Sequence, residues 1–216
     1  MNSVGVVFEE KMKNYKPVPL EQGNYYHIYN RGNNGIDIFY DTKSYFHFLK
    51  LYDRYISPIA ETYAWCLLKN HFHILVYIKM DNEIDSSKFE YSSVERAKTI
   101  NASNQFGYLF NAYTQAINKK FKRTGSLFET PFERKQISSD AYLKNLIYYI
   151  HNNPVHHGFI DKMNLYPWSS FETIISDKPT KLKRDVILDI YGSKSDFIEF
   201  HNINQNLTNL KELIIE

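Results

Sequence analysis

The chain has 216 residues, 43% of them hydrophobic and 23% charged, which is enough apolar material for one domain-sized core and excludes a disordered or low-complexity chain. Its net charge of +2 does not announce a nucleic-acid partner, so such a reading has to rest on local patches. A single cysteine, Cys66, rules out an internal disulfide, and no apolar run approaches a membrane span; together these lead to the expectation of a cytoplasmic protein without a membrane partner.

Residues 1–22 are polar and mixed and read as an N-terminal arm. Gly23 to Arg31 alternates and is rich in Tyr and Ile, the pattern of a strand, followed by a loop at Gly32-Asn33-Asn34-Gly35. Thr42 to Ile56 reads as a helix capped by Asp41. Thr62–Leu68 and His71–Ile78 read as two strands joined through Lys69-Asn70. Met80 to Asn101 has no clear pattern, whereas Phe106, Leu109, Phe110, Tyr113, Ile117 and Phe121 recur at helical spacing and predict a helix over 104–122. Ser126 to Ile137 reads as extended, and Asp140 to Asn153 as a second strong helix stopped by Pro154. From Ser176 the character changes to two or three short helices. The expected organisation is an arm (1–22), an α+β domain with an antiparallel sheet (23–175) and a helical C-terminal appendage (176–216).

Two constellations carry chemistry. On a strand, side chains alternate faces, so Phe72, Ile74, Val76 and Ile78 form an apolar core face while His71 and His73 share the other. Two imidazoles so placed can grip one divalent ion, although two half-exposed histidines would have the same spacing, and a third ligand is needed. In the helix around Tyr149, Leu143, Leu146, Ile147 and Ile150 form the core stripe, while Tyr149 and Asn153 are neighbours one turn apart on another face. A phenol can attack a phosphodiester, and an amide oxygen can complete a metal's ligand set. The competing reading is an ordinary amphipathic helix, with His156 and His157 as rival ligands or as cations suiting the helix end.

The two constellations occur in order among other matching stretches: YHIYNRGNNGIDIF (26–39), NHFHILV around His71-Phe72-His73, TGSLFETPFERK (124–135), YLKNLIYYIHNNPVHHGFI (142–160) and YPWSSF (166–171). Over residues 23–172 the sequence resembles the REP-associated tyrosine transposases and their insertion-sequence relatives in the HUH (His-hydrophobic-His) endonuclease superfamily. The resemblance implies a ferredoxin-like fold with helices on one face of the sheet and a Mg2+- or Mn2+-dependent site on the face away from the core. It implies His71 and His73 as metal ligands, Asn153 as a third, and Tyr149 as the nucleophile. Lys69 stands where many relatives have Pro, and Tyr148 beside Tyr149 leaves an ambiguity in the nucleophile.

The resulting expectation is an enzyme that cleaves single-stranded or hairpin DNA through a 5′-phosphotyrosine intermediate and then rejoins strands. The alternatives are a domesticated nucleic-acid-binding module of the same fold and a replication-initiator-type nickase. Expected phosphate contacts are Lys119, Lys120, Lys122 and Arg123 at the end of the helix predicted over 104–122, with Arg134, Lys135 and Arg31. A homodimer is left open, as is whether KLKRDVILDIYG (181–192) binds a hairpin stem, covers the site or only packs.

Overall fold

The computed structural model describes residues 17–84 and 100–203; residues 1–16 of the expected 1–22 arm, most of the patternless stretch (85–99) and the last part of the appendage (204–216) lie outside the described residues. Four strands, β1 (Tyr25–Arg31), β2 (Ala60–Leu67), β3 (His71–Ile78) and β4 (Glu133–Ile137), form one sheet in the order β2-β3-β1-β4, with every pair antiparallel. Helix α1 (Thr42–Tyr55) connects β1 to β2 and α2 (Ala102–Phe121) connects β3 to β4. Both helices bury against the same face, which gives the ferredoxin-like arrangement.

Local chemistry accounts for these elements. The Asp41 carboxylate accepts from the Ser44 backbone N–H at 2.8 Å while the Ser44 hydroxyl accepts from the Asp41 N–H at 3.1 Å, a capping box worth about 1 kcal/mol at the start of α1. Asn101 caps α2 by accepting from the Asn104 backbone N–H at 3.1 Å, and α2 ends in the left-handed conformation at Lys122. Along β3, Phe72, Ile74, Val76 and Ile78 face α1 and α2 in one apolar cluster, whereas Leu75 belongs to a second cluster on the opposite face. The period-two reading of β3 is therefore the observed one. β2 begins two residues earlier than its predicted start and carries a register shift between Thr62 and Ala64.

The second face is not bare. Helix α3 (Asp140–His156) lies over β2 and β3, and α4 (Phe171–Ile175), α5 (Arg184–Tyr191) and α6 (Lys194–Asn202) pack with it into the second cluster. This is why α3 is buried on more than one side, Tyr148 included, rather than having a solvated face. Pro154 does not stop α3: the helix runs to His156, because Pro154 sits in the last turn, where the one missing donor breaks no further turn. The appendage starts with residues that are part of this core: Ile187, Tyr191 and Phe197 are buried, and the Tyr191 hydroxyl donates to the Lys144 carbonyl at 2.8 Å. At the free edge of β2, residues 166–170 act as a cover. Leu67 N–H donates to Trp168 O, Ser170 N–H to Trp65 O, and Trp65 N–H to Ser170 Oγ.

Candidate active site

β1 and β3 pair so that Tyr29 lies opposite His73 and Arg31 opposite His71. His71 and His73 point to the α3 side, with ring centroids 5.3 Å apart. α3 crosses above them and brings Asn153 and Tyr149 down onto the pair. Asn153 Oδ1 lies 3.0 Å from His71 Nε2, and the Tyr149 ring stands edge-on to His73 at 5.3 Å. Tyr148, one residue earlier, faces away, toward Phe200 and His201. All four expected residues of the reacting centre thus converge.

Each histidine is held from behind through Nδ1. His71 Nδ1 is 2.8 Å from Asn70 Oδ1; an amide oxygen only accepts, so Nδ1 carries the proton and Nε2 presents its lone pair forward. His73 Nδ1 is 2.9 Å from Nε2 of His27, a buried residue of β1 that the reading of single segments did not single out. The signal is cross-strand: His27, Tyr29, His71 and His73 all share one face once the register is known. His157 also comes within 4.8 Å of the His71 ring, centroid to centroid. Burial, with Lys135 adding to it, pushes the His27 pKa down to about 3. Burial likewise holds His73 well below the ordinary imidazole range, with the neighbouring His27, His71 and His157 adding to the effect. Both rings are neutral near pH 7, the state a ligating imidazole needs.

These residues fit a divalent ion. His71 Nε2 and the Asn153 side-chain amide stand 3.0 Å apart, and the amide nitrogen is buried without a hydrogen-bond partner. Adjacent ligands of a magnesium-sized ion stand roughly 3 Å apart, so an imidazole nitrogen and an amide oxygen at this spacing could serve one ion together. Among the described residues no group of three His, Cys, Asp or Glu side chains is placed to hold a metal. The candidate set is two imidazoles and an amide, which leaves room for water or phosphate oxygens, and the imidazoles suit Mn2+ better than Mg2+.

A cleft of about 620 Å3 opens beside the histidines, lined by Tyr29, Arg31, Asn70, Glu129, His157 and Phe159 among others. Tyr149 is 4% exposed and Asn153 0%, so both sit behind the cleft rather than at its mouth. Of the expected phosphate contacts, Arg31 stands at the rim and pairs with Glu129 at 2.7 Å. Lys119, Lys120, Lys122 and Arg123 close the end of α2; Lys120 pairs with Asp41 at 2.6 Å and Arg123 donates to Asn118. Lys135 lies opposite His27 in the sheet and over the Tyr142 ring. Arg134 is not at the surface. It is opposite Ile28, 8% exposed, 3.8 Å above the Phe132 ring, and donates to Ser103 at 2.6 Å, which makes it a packing residue of the α2 side.

No protein-family model matches the chain. A putative REP-associated tyrosine transposase of Haemophilus influenzae is 26% identical over 132 residues, 61% of this chain; the match spans 64% of that relative's length. Among solved structures, a REP-associated tyrosine transposase bound to a REP hairpin superposes with a TM-score of 0.50 at 19% identity, covering 77% of this chain and 88% of the other. A bacterial tRNA(His) guanylyltransferase-like protein is more distant, with a TM-score of 0.39 and 10% identity over 73% of this chain and 74% of its own. In sequence and in fold the chain is similar to the REP-associated tyrosine transposases.

Proposed function

We propose, with that similarity as premise, that the chain binds hairpin DNA with its adjoining single strand, and cleaves and rejoins the strand through Tyr149. The observation that supports this most is the arrangement of α3, which turns Tyr149 toward His73 and Asn153 toward His71 while Tyr148 faces the C-terminal helices. His71, His73 and Asn153 would hold one Mg2+ or Mn2+. Such an ion, when bound, neutralises charge on the scissile phosphate and favours the phenolate over the phenol.

Tyr149 Oη attacks phosphorus. The Oη–P bond forms as the P–O3′ bond breaks, the phenolic proton leaves, and a proton is delivered to the departing 3′ oxygen. The 5′ side stays on the enzyme as phosphotyrosine. A second 3′-hydroxyl then attacks that phosphorus, displaces Tyr149 and restores a phosphodiester. The covalent link keeps the bond energy, so no nucleoside triphosphate is needed. His27 and Asn70 keep the two histidines oriented with Nε2 forward. Arg31 and the basic end of α2 contact phosphates, which sets affinity rather than sequence choice. Because Tyr149 is shut behind the cleft, substrate entry has to shift its ring or α3.

The test is a denaturing gel on labelled hairpin oligonucleotides taken from the DNA flanking the gene, with Mn2+, Mg2+ or chelator. A metal-dependent covalent adduct is expected for the wild type and for Tyr148→Phe, and none for Tyr149→Phe. The burial of Tyr149 and Asn153 is what favours the alternative of a binding-only module. Hairpin binding without any adduct, across oligonucleotides that include the true ends, would establish that alternative.

A further inference from the structure

The basic stretch Lys181 to Arg184 plays no part in the chemistry above. Arg184 is used locally, donating to the Thr173 and Lys178 carbonyls at 2.7 Å each. Lys181 and Lys183, however, line a second cleft of about 930 Å3 at the outer edge of β2, on the α1 side of the sheet and so on the opposite face from the histidines. Its floor is Phe48, Tyr52, Leu67 and Ile74, and one wall carries the half-buried ring of Trp65. The 180–183 strap is fixed to β2 by the Lys183 N–H on Thr62 O at 3.1 Å.

The charge on this cleft is one-sided. Among the described residues, Lys50, Arg54, Lys79, Lys181 and Lys183 line it against Asp53 and Glu61. Those two carboxylates are paired with Lys181 at 2.6 Å and Lys183 at 2.5 Å, across the gap between strap and body. Lys50 and Arg54 are four residues apart on α1, hence neighbours on one face of the helix, and both are exposed. An apolar floor, an accessible indole and a rim with surplus positive charge together select a ligand that has both a flat ring and phosphates. The volume is that of a typical small-ligand cleft and too small for a duplex. We propose that this cleft is a second nucleic-acid site that takes one or two nucleotides of a single strand, with a base against Trp65 and the phosphates on the Lys50–Arg54 rim. The proposal does not depend on the metal or on Tyr149.

The chain has two tryptophans, so a Trp168→Phe protein, in which Phe keeps a ring against Tyr45, leaves Trp65 as the sole indole reporter. This full-length protein is titrated with 5′-phosphorylated thymidine dinucleotide, which has no hairpin, in low salt. The expected result is saturable quenching of Trp65, a dissociation constant about tenfold or more weaker when Lys50→Glu and Arg54→Glu are added, and quenching retained in a His71→Ala/His73→Ala background. No quenching at millimolar dinucleotide overturns the proposal. So does equal affinity in the Lys50→Glu/Arg54→Glu protein, or loss of the signal with the histidines. Tripolyphosphate, which has no base, should compete without quenching; quenching by it would remove the base-stacking part. Adduct formation, assayed separately, reports on the histidine site alone, so the two readings fail independently.

Discussion

At the scale of single residues, the two faces of β3 and the one-turn pair Tyr149–Asn153 could be read from periodicity alone, because strand and helix periods place neighbours without tertiary information. His27 could not: its relation to His73 exists only through the β1–β3 register, in which Tyr29 is opposite His73. A His27→Phe protein keeps the shape of the ring but loses the acceptor for His73 Nδ1–H. Its Mn2+ affinity should drop about 10- to 100-fold by calorimetry, with the thermal midpoint of the metal-free protein little changed. Arg134 shows the opposite failure. A run of cations reads as a surface strip, yet on a strand alternate members face inward, and Arg134 shares the side of Ile28. Arg134→Ala should therefore cost stability, about 1–3 kcal/mol from the lost ring contact and the bond to Ser103, and leave the salt dependence of hairpin binding unaltered.

At the scale of elements, α3 is held in place by a chain of neutral polar groups. His201 Nδ1–H donates to the Phe197 carbonyl, His151 Nδ1–H to His201 Nε2, the Ser170 hydroxyl to His151 Nε2, and Trp65 N–H to Ser170 Oγ. Every donor in that order has one acceptor, and an added proton is taken up only by reversing the order, with the Ser170 hydroxyl turned to accept from His151 Nε2–H. Burial holds His201 down at about 4, against 6.5 for a free imidazole. As pH falls, the unfolded chain binds its proton first. The His201 contribution to stability is complete above pH 6.5 and is lost between 6.5 and about 4. The slope approaches about 1.4 kcal/mol per pH unit for each such histidine. Urea unfolding at several pH values should show this decline, and His201→Gln, whose amide oxygen can still accept from His151, should lessen it. None of this is visible in the sequence, where His151 and His201 are fifty residues apart and belong to no motif.

At the scale of the molecule, the ferredoxin-like sheet followed from the order of strands and helices together with the family resemblance, whereas the status of the C-terminal helices did not. A change of composition at residue 176 reads as a boundary. In the fold, however, Ile187, Tyr191 and Phe197 share one apolar cluster with Tyr148, Tyr149 and Ile150. Ending the chain at residue 175 should expose that surface and give an insoluble or molten product rather than a smaller folded domain, which solubility and near-ultraviolet circular dichroism would show.

The cover that residues 166–170 place on β2 also limits how two copies could meet. Backbone pairing needs a row of donors and acceptors not already committed, and at β2 the Trp65 and Leu67 groups are spent on Ser170 and Trp168. β4 is the strand at the other end of the sheet. A second copy that continued the sheet through β2 would first have to lift residues 166–170 off that strand, giving up the Trp65–Ser170 and Leu67–Trp168 bonds, so the cover guards the edge against strand addition.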